Sequence, residues 1–213
     1  MKNIKNLIFD LGGVIYDIRY ENVAEAFVRH GVTNLSDTFS RSFQTREIDL
    51  FEEGRLSPDE IRAGIASLAN APLSGEDVDD ILNAILIDIP AHRVACLLAL
   101  KEKYNVFLFS NTNQINYDFY TTRMKEKFGF DIFDRCFHKA YFSHIMHIRK
   151  PAAEGFQMIL DEQHLCPSET LFIDDNAPNF VGARQVGMKV FHLRDMDMTE
   201  MFDDGFNLKV QPE

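Results

Sequence analysis

Five short apolar runs punctuate the chain: Leu7-Ile8-Phe9, Val106-Phe107-Leu108-Phe109, Ala140-Tyr141-Phe142, Leu171-Phe172-Ile173 and Val190-Phe191-His192-Leu193. Each is nearly continuous rather than alternating and is rich in β-branched or aromatic residues. That is the pattern of a strand covered on both faces, as in a parallel sheet. Helix-length stretches separate the later runs. Residues 91–103 carry Val94, Leu97 and Leu98 and end in Lys101 and Lys103, the favourable sign for a helix C-terminus. Residues 152–162 place Phe156, Ile159 and Leu160 on one side, and 178–186 run from Pro178 to Gly187. Alternating strands and helices predict an α/β fold with a doubly wound parallel sheet.

The first run departs from this alternation. After Phe9 the next of these runs begins almost 100 residues later, and residues 17–90 read as helices throughout. Val23, Ala26 and Phe27 share a helical face that Gly31 closes. Ser57-Pro58-Asp59-Glu60 is a capping box, followed by Ile61, Ile65 and Leu68 at helical spacing. Ser74 precedes a further helix carrying Val78, Ile81, Leu82 and Ile85. The expected organisation is a core from 1–16 and 91–213, with a helical module from 17–90 inserted after the first strand. The polar tail after Leu193 is expected to be loosely held.

Charge narrows the possible partners. The chain of 213 residues has a formal net charge of −11. That opposes nucleic-acid and anionic-membrane binding, both of which need a positive face. Residues 17–90 hold six Arg, no Lys and 15 acidic residues. If this module contributes to anion binding, it must do so through a positioned donor, and Arg41, Arg46 and Arg55 are the candidates. Cys96, Cys136 and Cys166 form neither a disulfide framework nor a metal pattern, and Cys136 and Cys166 are expected to be buried or half-buried. Asp10 breaks the first apolar run before it reaches signal-peptide length, which points to a cytoplasmic location. His144-x-x-His147 has half the look of a metal pair but no further ligands, and a loop or surface role is expected.

The strand ends carry the chemistry. In open α/β sheets ligands bind beyond the carboxyl ends of the strands. Here those ends are Asp10 in Phe9-Asp10-Leu11-Gly12-Gly13-Val14, Ser110 in Ser110-Asn111-Thr112, and Asp174-Asp175-Asn176. Arg149-Lys150-Pro151 precedes a helix start. Two or three carboxylates at one place require a cation, and oxygen-only ligands suit Mg²⁺. Lys150 and Ser110 supply donors for an anionic group. Together these residues read as a metal-assisted phosphoryl-transfer site with Asp10 as nucleophile.

This ordered set, an Asp at the end of strand one, then Ser, Lys and paired acids, resembles the four-motif pattern of the haloacid-dehalogenase-like hydrolases. Asp-Leu-Gly-Gly-Val-Ile, Ser-Asn-Thr-Asn and Arg-Lys-Pro resemble in particular the branch of bacterial α-glucose-1-phosphate phosphatases. The resemblance implies a Rossmann-like core with an inserted cap, and a cap that closes over the site. It implies a Mg²⁺-dependent phosphatase for a small phosphorylated metabolite, such as a sugar phosphate, working through an aspartyl-phosphate. It assigns Asp10 as nucleophile and metal ligand, and the Gly12 carbonyl as metal ligand. Ser110, the Asn111 amide and Lys150 would hold the phosphate. Asp175 would be the direct metal ligand, with Asp174 acting through water or as an orienting group.

One position departs from the family pattern. Most phosphatases of this superfamily carry a general acid/base Asp two residues after the nucleophile, where this chain has Gly12. Asp17 is the nearest other carboxylate in sequence. Two further readings follow from that gap: a dehalogenase-type hydrolase using an aspartyl ester, and a regulatory binding protein that has lost turnover.

Overall fold

All four side chains of strand β1 (Asn6–Phe9) are buried, which makes it the central strand. The computed structural model describes residues 4–32, 46–69 and 71–213. Besides β1, the described strands are β2 (Asp17–Ile18), β3 (Leu86–Asp88), β4 (Asn105–Ser110), β5 (Lys139–Phe142), β6 (Thr170–Asp174) and β7 (Lys189–His192). Parallel pairing gives the order β5-β4-β1-β6-β7 in one five-stranded sheet. Phe9 pairs with Leu108 on one side and Ile173 on the other, so the ends of β1, β4 and β6 lie side by side.

The continuous apolar runs have a direct structural cause. Successive side chains of a strand point to opposite faces. Leu7, Phe9, Val106, Leu108, Leu171 and Ile173 enter one core cluster, and Ile8, Phe107, Phe109, Phe172 and Val190 enter another. The first cluster takes residues from α5 (Ala91–Lys101), α6 (Gln114–Phe128) and α7 (Ile132–Cys136). The second takes residues from α9 (Ala153–Glu162) and α10 (Phe180–Gln185). The short helix α8 (Ser143–Met146) follows β5 directly.

Residues 17–90 contain α1 (Glu21–Arg29), α2 (Arg46–Glu52), α3 (Pro58–Ala69) and α4 (Gly75–Asn83). They share a separate apolar cluster including Ala26, Phe27, Phe51, Ile61, Ile65, Val78 and Ile81, joined by Ile115 from α6. Both expected helix starts are capped: Ser57 Oγ accepts from the Glu60 amide, and Ser74 forms a reciprocal box with Asp77.

The structure departs from the sequence expectations at three places. Residues 17–90 are not helical throughout, because β2 and β3 pair antiparallel at the two ends of the segment. Strands of two and three residues are too short to show a period. The tail is not loosely held: Met198, Met201 and Phe202 are buried, and Glu213 exchanges backbone hydrogen bonds with Val190 on β7. Cys166 is exposed, whereas Cys96 and Cys136 are buried. Helix α6 carries no strong periodic signal in the sequence. Only Ile115, Tyr120 and Met124 of its 15 residues are buried, so its apolar stripe is thin. Its caps were the available signal, Asn113 at the start and left-handed Gly129 at the end.

Asp197 ties the tail down. Its carboxylate accepts from the Thr199 amide at 2.9 Å and Arg93 Nε at 2.8 Å, with His92 at 3.1 Å. Burial opposes its ionisation, but these bonds outweigh that and hold the carboxyl well below the usual range. A carboxylate with a lowered pKa adds stability above its unfolded value and loses it as the pH falls. Asp197→Asn should cost about 1.5–3 kcal/mol at neutral pH, read by urea unfolding. The deficit should shrink as pH drops below about 4, the unfolded carboxylate value.

Candidate active site

The switch in strand order at β1 opens a crevice where β1, β4 and β6 end, as expected for an open α/β sheet. Lys150, 1% exposed, lies beneath it. Its Nζ sits 2.7 Å from Asp10 Oδ1 and 2.8 Å from Asp174 Oδ2. Its ammonium also lies over the Phe172 and Phe109 rings, 5.3 and 5.7 Å from their centroids. The side chain of Asn111 grips the Lys150 backbone at both ends, accepting from its amide at 2.8 Å and donating to its carbonyl at 3.0 Å. Asn111 thus fixes the loop that delivers the lysine.

The two neighbouring acids differ. Asp174 is fully buried and its oxygens are taken up by Lys150, by Asn179 Nδ2 at 2.9 and 3.1 Å, and by the Asn176 amide at 2.7 Å. Asp175 is half-buried and lines the cavity. One ligand oxygen from each of Asp10, Asp174 and Asp175 can be chosen so that all lie within 4.8 Å of one another. Three carboxylates against one ammonium leave an excess of two negative charges. Burial pushes Asp10 up to about 7, because the pull of Lys150 is offset by Asp174 and Asp175. An all-oxygen set with this excess charge fits a hard divalent cation.

Gly13 makes room for this cluster. Its φ is +73°, and a Cβ there would fall 2.1 Å from Asp175 Oδ2. Gly12 lines the cavity with ordinary φ, and a Cβ there would meet Ile18 Cδ1 at 3.3 Å.

The cavity has a volume of about 200 Å³. Asp10, Gly12, Ser110, Asn111, Lys150 and Asp175 line it, so the structure brings these sequence-selected residues together. Buried Asp174 lies directly beneath. Tyr20, Glu52, Asn116 and Arg149 also line it. Glu52, Asn116 and Tyr20 belong to no motif in the sequence, and Arg149 stands out there only as the neighbour of Lys150. Asn179, which orients Asp174, is marked in the sequence only by its place five residues after that acid.

Several expectations fall away from the cavity. Arg46 and Arg55 do not line it, and Arg55 pairs with Glu53. Arg41 lies outside the described residues. Asp17 is held by Arg93 Nη1 at 2.7 Å and is not a lining residue. His144 is buried rather than at the surface, against Tyr117 and Phe142, with neither ring nitrogen hydrogen-bonded.

A parallel α/β sheet whose central strand ends in this carboxylate–lysine cluster defines a Rossmann-like hydrolase. The haloacid dehalogenase-like hydrolase family model matches residues 4–187, and the chain belongs to that family. It is 31% identical over 188 residues to the D-ribitol-5-phosphate phosphatase of Bacteroides thetaiotaomicron, covering 88% of this chain and 91% of that protein. The crystal structure of the HAD family enzyme bt-2542 from the same organism superposes with a TM-score of 0.87 at 33% identity, covering 95% of this chain and all of that one (100%). Its wild-type complex with magnesium and inorganic phosphate gives 0.85 at 32% identity, covering 94% and 100%.

Gly13→Ala tests how the cluster is built. A left-handed alanine alone costs about 1–2 kcal/mol. The methyl must also displace the Asp175 carboxylate. The variant should melt lower and lose most of its divalent-cation affinity, measured by calorimetric titration. Unchanged affinity would show that Asp175 does not need this space.

Proposed function

We propose that the protein is a Mg²⁺-dependent phosphatase that hydrolyses the phosphate monoester of a small, hydroxyl-rich metabolite, a sugar or sugar-alcohol phosphate, through an aspartyl-phosphate on Asp10. The observation that carries this reading is the Asp10–Lys150–Asp174 bridge, with Asp175 beside it, on the floor of one small cavity. The phosphatase and the magnesium–phosphate complex among the similar proteins support it.

Asp10, Asp175 and the carbonyl of Gly12 are the groups suited to hold Mg²⁺, with Asp174 behind them as the orienting acid. When bound, Mg²⁺ supplies positive charge to the phosphoryl oxygens and relieves the repulsion among the carboxylates. Lys150 holds Oδ1 of Asp10, while Oδ2 has no hydrogen-bond partner among the described residues. The carboxylate is therefore fixed in orientation yet able to attack phosphorus. Lys150, Ser110 and the Asn111 amide are assigned to the phosphate oxygens. In this reading residues 17–90 are the cap, and α2 closes the mouth through Glu52.

The charge pattern supports a single phosphate on an otherwise neutral substrate. Arg149, the other cation lining the cavity, is already shared between Asp49 and Glu52 at 2.8 Å each. A second anionic group on the substrate would face Glu52 without a free cation among the described lining residues. Dehalogenation through an aspartyl ester gives the three clustered carboxylates no cation to hold, so the geometry favours the phosphatase.

A panel of phosphorylated sugars, sugar alcohols, nucleotides and acids tests this. Sugar and sugar-alcohol monophosphates should turn over fastest, with activity lost in EDTA and restored by Mg²⁺. Asp10→Asn should lower kcat by about 10³-fold or more, because the amide is not a nucleophile. Retention of more than a few per cent of activity by the folded variant would refute covalent catalysis by Asp10.

A further inference from the structure

We infer that Glu52, which reaches the cavity from α2, is the general acid and base of the reaction; this inference rests on the phosphatase reading above. Breaking the P–O bond of an alkyl phosphate leaves an electron pair on an oxygen that departs poorly unless it is protonated. A suitable donor has a proton affinity near the working pH and lines the cavity. Outside the Lys150 cluster, the ionisable lining residues among those described are Tyr16, Tyr20, Glu52, Tyr120 and Arg149. Arg149 keeps its protons permanently. Burial moves Tyr16, Tyr20 and Tyr120 still further above their ordinary, already basic, range. Glu52 remains.

Its setting suits the task. Arg149 holds only one of its oxygens, Oε2, through Nε at 3.0 Å and Nη2 at 2.8 Å. Oε1 has no hydrogen-bond partner among the described residues. Arg149 Nη1 binds Asp49 Oδ1 at 2.8 Å, so one guanidinium faces two carboxylates. The trio can take up a proton on Glu52 and still leave Arg149 paired with Asp49. Burial raises the proton affinity of Glu52, and Asp49 adds to that, against the pull of Arg149 and the more distant Lys150.

In the first step Asp10 forms a bond to phosphorus while the bond to the leaving oxygen breaks. The electron pair stays on that oxygen, which takes the Glu52 proton and departs as an alcohol. Glu52 is then a carboxylate. In the second step it takes a proton from water, whose oxygen bonds to phosphorus as the Asp10–phosphorus bond breaks. Inorganic phosphate, the Asp10 carboxylate and protonated Glu52 result.

Glu52→Gln keeps an oxygen for Arg149 but has no proton to transfer. With Mg²⁺ present, its kcat/KM, which reports only the steps through departure of the alcohol, should fall about 100-fold or more on ribitol 5-phosphate, and less than about fivefold on p-nitrophenyl phosphate, whose leaving group needs little protonation; the shared hydrolysis of the aspartyl-phosphate enters kcat alone. Asp49→Asn, which removes the other partner of Arg149, should affect both substrates alike. Equal losses of kcat/KM on both substrates in Glu52→Gln would overturn the inference, reducing Glu52 to a positioning partner of Arg149. A raised KM with kcat retained would also overturn it, making Glu52 a hydroxyl-binding group. If the Gln variant does not fold, Glu52→Asp, with its carboxyl drawn back, should show the same selective loss, and an equal loss there would overturn the inference. Failure of the unaltered enzyme to hydrolyse any phosphate monoester with Mg²⁺ is a separate result, and would overturn the phosphatase reading itself.

Discussion

The site depends on one buried ammonium. Lys150 is 1% exposed and bridges Asp10 and Asp174 at 2.7 and 2.8 Å. An ion taken out of water this fully costs several kcal/mol unless it is paired and hydrogen-bonded, and removing one partner leaves the others stranded. Much of the surrounding structure meets that demand. Asn179 and the Asn176 amide satisfy the far side of Asp174, Asn111 clamps the lysine backbone, and Phe109 and Phe172 present their ring faces. The same arrangement that makes the burial tolerable also fixes the orientation of Asp10.

The fold supplies this cluster through strand order. β1 is flanked by β4 and β6, so residues 10, 110 and 174 meet although they are far apart in sequence. Gly13 then lets the chain leave β1 without striking Asp175. The helical segment comes back to the site at Arg149, the residue beside Lys150, which binds Asp49 and Glu52 of α2. Gly54, just after α2, sits so close to the carbonyl of His144 that a Cβ there would lie 2.1 Å from it. The cavity wall supplied by α2 and the buried lysine are thereby linked through one short stretch of chain.

The strands and the carboxylate–lysine set were legible in the sequence for a common reason. A strand buried on both faces is a continuous apolar run, and a polar residue ending such a run stands out. Asp10, Ser110 and Asp174 are all of that kind. Glu52 is not, because nothing local distinguishes it from its neighbour Glu53. Its importance comes from a contact with Arg149, 97 residues away in sequence. Asn179 likewise looks like an ordinary polar residue near a helix start until its bonds to Asp174 are seen. The β2–β3 ribbon escaped because its two strands are separated by the helical segment and each is too short to carry a period.

The central claim is that the bridge to Lys150 makes Asp10 a covalent nucleophile. The most direct measurement is an acid quench of the enzyme turning over acetyl phosphate with Mg²⁺, followed by peptide mass spectrometry. The account predicts a phosphoryl group on the peptide containing Asp10, absent when Mg²⁺ is withheld. Release of phosphate through a full single turnover with no phosphoryl group found on Asp10 at any quench time would contradict it.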